Sequence, residues 1–130
     1  MNIHIKNGRL IDPQNRIDAQ QDVFIAERRI AAIGKAPQGF VAEQVIDAGG
    51  LLVMPGLVDV AARLREPGYE YKATLESEMT AAVAGGVTSL SCPPDTDPPL
   101  DEPGLVEMLK RRARSLNQCR VFPAGALTYG

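Results

Sequence analysis

Pro55-Gly56-Leu57-Val58-Asp59-Val60-Ala61-Ala62-Arg63-Leu64-Arg65-Glu66-Pro67-Gly68 is the stretch from which the fold is read. The apolar run Leu51–Val60 predicts a buried strand, and Arg65-Glu66-Pro67-Gly68 reads as the loop that leaves it. Side chains two apart on a strand share a face. Ala61 and Arg63 therefore stand side by side at the strand's exit. Neither can hold a metal, because alanine has no lone pair and arginine is a permanent cation.

Downstream of this loop the hydrophobic period changes from strand-like to helical. A helix is expected from Thr74, with Glu76 and Glu78 at its positive end and Leu75, Met79, Ala82 and Val83 as its apolar stripe. Gly85-Gly86 stops it, and Val87–Cys92 reads as a second strand. Asp101 is placed to cap a second helix with Pro103 in its first turn, burying Leu105, Leu109, Ala113 and Leu116. Cys119–Ala124 starts a third strand. Strand, helix, strand, helix, strand is the opening of a parallel α/β structure.

Upstream, residues 1–53 read as short strands separated by turns. Ile3 and Ile5 alternate with His4 and Lys6, and Asn7-Gly8 is a two-residue turn signal before Arg9-Leu10-Ile11. Asp12-Pro13-Gln14-Asn15 is a second turn. Strands follow at Asp22–Ala26, Ile30–Ile33 and Glu43–Asp47.

Residues 55–68 resemble the first-strand signature PGLxDxHxHLREPG of the dihydroorotases, a family of cyclic amidohydrolases. Ala84-Gly85-Gly86-Val87-Thr88-Ser89-Leu90-Ser91-Cys92-Pro93-Pro94-Asp95-Thr96-Asp97-Pro98 is similar to the same family's AGGxTTxxxMPNTxP segment. The resemblance implies a small β-sandwich over residues 1–53, followed by the first units of a (β/α)8 barrel of amidohydrolase type over 54–130. Such a barrel needs eight units and about 250 residues. Two units and a third strand are present here, so the resemblance implies the N-terminal piece of a longer protein. The first and third strands would then carry unpaired edges.

The family binds its metal through two histidines that fall on Ala61 and Arg63. It binds the substrate carboxylate through an arginine and an asparagine that fall on Arg65 and Asp95. Arg65 is kept. Asp95 replaces two N–H donors with a charge that repels an anionic substrate. The resemblance thus implies no metal, no cofactor and no catalytic residue in this chain. His4, the single histidine, lies far upstream in a different structural unit.

Two functions follow. One is a degenerate dihydroorotase-like subunit, itself inactive, that scaffolds the catalytic chain of aspartate transcarbamoylase in a hetero-oligomer of bacterial pyrimidine biosynthesis. The other is a cyclic-amide hydrolase of the dihydroorotase, allantoinase or dihydropyrimidinase type with an altered or single-metal centre. For Arg65, shaping its loop outweighs substrate binding, since a guanidinium fork anchors loops well. The run Lys110-Arg111-Arg112-Arg114 is read as a solvated helix face rather than a docking patch.

Composition narrows the remaining classes. A net charge of −2 argues against nucleic-acid and anionic-membrane partners. No apolar run reaches the length of a membrane span, and no cationic, then apolar, leader opens the chain. Cys92 and Cys119 lack metal-ligand spacing and read as reduced thiols of a cytoplasmic protein.

Overall fold

The computed structural model describes residues 1–128, which form two units, one ending at Pro55 and one beginning at Gly56. The first holds seven strands: β1 (Ile3–Lys6), β2 (Arg9–Asp12), β3 (Ile17–Gln20), β4 (Val23–Ala26), β5 (Arg29–Ile33), β6 (Gln44–Asp47) and β7 (Leu52–Val53). They make one sheet of order β5-β4-β1-β6 and another of order β3-β2-β7. Leu10, Val23, Phe24 and Ala48 are its buried apolar residues. Phe24 stacks on His4 and meets Phe40 edge-on.

Asn7-Gly8 does not close a hairpin, because β1 and β2 lie in different sheets. The reason lies in partners distant in the sequence. The Asn7 N–H donates to Asp22 at 3.1 Å, which takes it from a β1–β2 ladder, and the Asn7 side-chain amide donates to Asp47 at 3.0 Å. Gly8 is required there, since a Cβ would fall 2.5 Å from Val53 Cγ2. The second turn does close a hairpin, onto a strand that the sequence pattern does not mark. That strand, β3, runs antiparallel to β2, with a two-pronged Arg9–Asp18 contact at 2.6 and 2.8 Å.

The second unit contains β8 (Leu57–Asp59), α1 (Leu75–Ala84), β9 (Val87–Cys92), α2 (Pro103–Leu116) and β10 (Arg120–Pro123). The expected single strand over 51–60 is divided at Met54-Pro55-Gly56, giving β7 to the first unit and β8 to the second. Proline has no N–H to continue a ladder. The three strands are parallel, in the order β10-β9-β8, so β8 and β10 form the sheet's edges among the described residues.

The core of this unit is Leu64, Leu75, Met79, Leu90, Cys92, Leu100, Leu109 and Ala113, with Leu105 and Leu116 packed against it. Burying each large member is worth roughly 1.5–3 kcal/mol. Val83, expected in the α1 stripe, is exposed instead. Thr74 caps α1 as expected and forms a reciprocal box with Ser77. The cap of α2 is Glu102, not Asp101, and its side chain makes no capping bond; Pro103 occupies the first helical position. No helix among the described residues is long and apolar enough to cross a membrane.

Candidate functional site

Parallel sheets expose their loops for chemistry at the C-terminal ends of the strands, and the sequence-predicted positions gather there. Asp59 closes β8, and its carboxylate accepts the Ala61 N–H at 2.9 Å, turning the chain. The Ala62 N–H then donates to the Ser91 carbonyl at 3.0 Å, holding the exit of β8 beside β9. Arg63 follows, and its Nε donates to Asp95 Oδ2 at 2.6 Å across the gap between the two strand exits. These two residues, read from the sequence as separate departures from a family pattern, form one ion pair.

Two further contacts tie the same loops together. The Asp97 N–H donates to the Pro67 carbonyl at 3.2 Å. Gly68 has φ +97° and a Cβ there would fall 2.3 Å from the Asp97 carbonyl oxygen, so only glycine fits this approach. Arg65 also has left-handed backbone, at φ +63°, and its carbonyl accepts the Tyr69 N–H. Its guanidinium makes no hydrogen bond or ion pair among the described residues, so the loop is not anchored by that fork.

The anchor is Glu66, which sequence reasoning did not single out. Its side chain is buried, with one oxygen accepting the Leu75 N–H at the start of α1 (2.9 Å) and the other pairing with Arg112 Nε of α2 at 2.8 Å. One carboxylate thus joins the β8 loop to both helices. Arg112 is therefore not a purely solvated cation, and Lys110 pairs with Glu107. The sequence neighbourhood of Glu66, with Arg63, Arg65, Glu70 and Lys72, is charged and gives no sign of burial.

Asp59, Ala61, Arg63 and Arg65 line a cavity of about 430 Å3, with Glu78 of α1 on its wall. Its donor set does not fit a metal. Zinc requires imidazole, thiolate or carboxylate ligands in tetrahedral array, and the described residues contain no group of three such side chains able to hold one. Burial, aided by the Asp95 charge, pushes the Cys92 thiol up to about 11. His4 is engaged elsewhere, with Nε2 2.7 Å from Asp22 Oδ2 in the first unit.

Three parallel strands alternating with two helices, their loops gathered at the C-terminal rim, form a parallel β/α unit of the kind that a (β/α)8 barrel repeats. A sequence model of the Dihydro-orotase-like family matches residues 50–130, and the chain belongs to that family. It is 49% identical over all its 130 residues to a dihydroorotase-like protein of Pseudomonas aeruginosa, and 42% identical to a dihydroorotase of Pelobacter propionicus. It covers 31% of the length of each, so it spans about a third of these relatives. Among solved structures, L-hydantoinase (dihydropyrimidinase) from Arthrobacter aurescens superposes with a TM-score of 0.80 at 26% identity, over 95% of this chain and 27% of that one.

Proposed function

We propose that this chain is part of a catalytically silent dihydroorotase-like subunit that scaffolds the catalytic chain of aspartate transcarbamoylase. The observation that carries the proposal is the Arg63–Asp95 ion pair, standing where the family resemblance expects a metal-bound histidine and a substrate-binding amide. An active centre of this type uses a metal to bring bound water toward a neutral pKa. Ala61 and Arg63 supply no ligand for that chemistry. The loops, caps and core around them are nevertheless intact, as a structural role requires and an abandoned fold would not. The name of the Pseudomonas relative, a dihydroorotase-like protein, fits this reading. The subunit is read as cytoplasmic, in keeping with free thiols at Cys92 and Cys119.

The partner rests on the family resemblance, and the test addresses it directly. The intact protein is mixed with the aspartate transcarbamoylase catalytic chain, and both sedimentation and transcarbamoylase activity are measured. Co-sedimentation with gained or stabilised activity is expected. Independent sedimentation with unchanged activity rejects the scaffold. The second reading, a hydrolase with an altered centre, is favoured by the dihydroorotase named among the relatives. Metal-dependent ring opening of dihydroorotate or a related cyclic amide by the purified protein would establish it.

A further inference from the structure

Resting on the scaffold reading above, we infer that the outer face of α2, with Arg111 and Arg114 beside Met108, is the docking surface for a carboxylate-rich face of a protein partner.

Charge is unevenly placed along the second unit. Between Pro103 and Arg120 five cations stand against one carboxylate, Glu107, in a chain whose net charge is −2. Two of the five are engaged within the fold, Arg112 with Glu66 and Lys110 with Glu107. Arg111 and Arg114 are exposed and make no ion pair or hydrogen bond among the described residues. The cleft beside them, about 590 Å3 between α2 and β10, is lined by Lys110, Arg114 and Arg120 and by no carboxylate. The positive surface therefore continues past the helix without a counter-charge.

The fold itself gains nothing from this crowding. Leu109 and Ala113 bury the other side of α2. Arg111 and Arg114 lie three residues apart, and like charges at that spacing destabilise a helix. The helix dipole accounts for Arg114, which stands in the last turn, but not for Arg111, a turn earlier.

Composition points to a protein rather than a nucleic acid. Met108 is 47% exposed, and Met108, Arg111 and Ser115 follow one another at i, i+3 and i+7, so they share a face. Interfaces between proteins are enriched in methionine and arginine and depleted in lysine. A guanidinium fork also takes a carboxylate through two parallel bonds. Nucleic-acid binding instead draws on several phosphate-neutralising cations, and α2 offers two that are unengaged among the described residues.

The test measures sedimentation of the intact protein with the aspartate transcarbamoylase catalytic chain, at about 50 and about 300 mM salt. The variants are Arg111→Gln/Arg114→Gln, Arg111→Glu/Arg114→Glu and, as a control on the first unit, Arg28→Gln/Lys35→Gln. At low salt the α2 Gln pair is expected to bind about tenfold more weakly and the Glu pair more weakly still, with the control within about twofold of the unaltered protein. High salt should narrow these gaps, because exposed charges are screened. Equal binding by the unaltered protein and both α2 variants would overturn this surface and leave the scaffold standing. An equal loss in the control pair would overturn it too, by showing that net charge and not this face sets the affinity. No binding by the unaltered protein would reject the scaffold, and the surface with it. Binding of duplex DNA in place of the catalytic chain, lost in the Gln pair, would replace the protein partner with a nucleic acid.

Discussion

At the scale of single residues, the rim shows how opposite charges divide labour by burial. Arg63 and Asp95 meet in solvent, where water screens them and the pair is worth about 0.2–1 kcal/mol. Glu66 is buried, and its carboxylate satisfies an amide at the start of α1 that has no partner within the helix. Truncating it leaves that N–H unsatisfied, which costs about 1–3 kcal/mol. Glu66→Ala is therefore expected to lower the urea midpoint clearly, with destabilisation of about 2–3 kcal/mol once the lost Arg112 contact is included. Arg112→Ala keeps the helix cap but leaves the buried Glu66 carboxylate without its counter-charge, so it should cost about 1–2 kcal/mol, less than Glu66→Ala. Equal losses in the two variants would show that the ion pair, not the cap, carries the effect. The Arg63–Asp95 contact could be anticipated only once β8 and β9 were known to be neighbours, since 32 residues separate its members.

At the scale of elements, the two helices differ in how their first turns are satisfied. Thr74 and Ser77 exchange bonds with each other's backbone, whereas Glu102 caps α2 with no side-chain bond. Glu102→Ser supplies the missing acceptor and is expected to stabilise the protein by about 0.5–1 kcal/mol, read as a raised thermal midpoint. An unchanged or lowered midpoint would mean that the first turn of α2 is already satisfied. The helices were legible in the sequence because their stripes and stop signals are local: Leu75 and Met79, Leu109 and Ala113, and Gly85-Gly86 all act as read. The short strands were less legible. Asn-Gly is a good hairpin signal in isolation, yet Asn7 is claimed by Asp22 and Asp47, residues 15 and 40 positions away. Likewise, the apolar run through 51–60 carries no internal sign that its halves serve different sheets, apart from Pro55-Gly56.

At the scale of the whole molecule, the two units rest on different physics. The second is held by a contiguous apolar core of eight buried residues. The first has fewer buried apolar residues and leans on aspartates that fasten its strands and turns. Hydrogen bonds from Asn15, Arg9, His4 and Asn7 hold the carboxyls of Asp12, Asp18, Asp22 and Asp47, respectively, below the usual aspartate range. A carboxyl whose pKa is lowered by folding stabilises the native state fully above its ordinary value near 3.8, and that contribution is lost as pH falls through the lowered value. Acid should therefore loosen residues 1–55 first. Hydrogen exchange followed from pH 5 to pH 2 is expected to show protection in β1, β2, β4 and β6 failing at a higher pH than in β9 and α2. Asp22→Asn should flatten that dependence in β1 and β4, because the amide cannot titrate. Simultaneous loss of protection in both units, unaltered by the substitution, would mean that the aspartate contacts are incidental and that burial alone sets the acid limit.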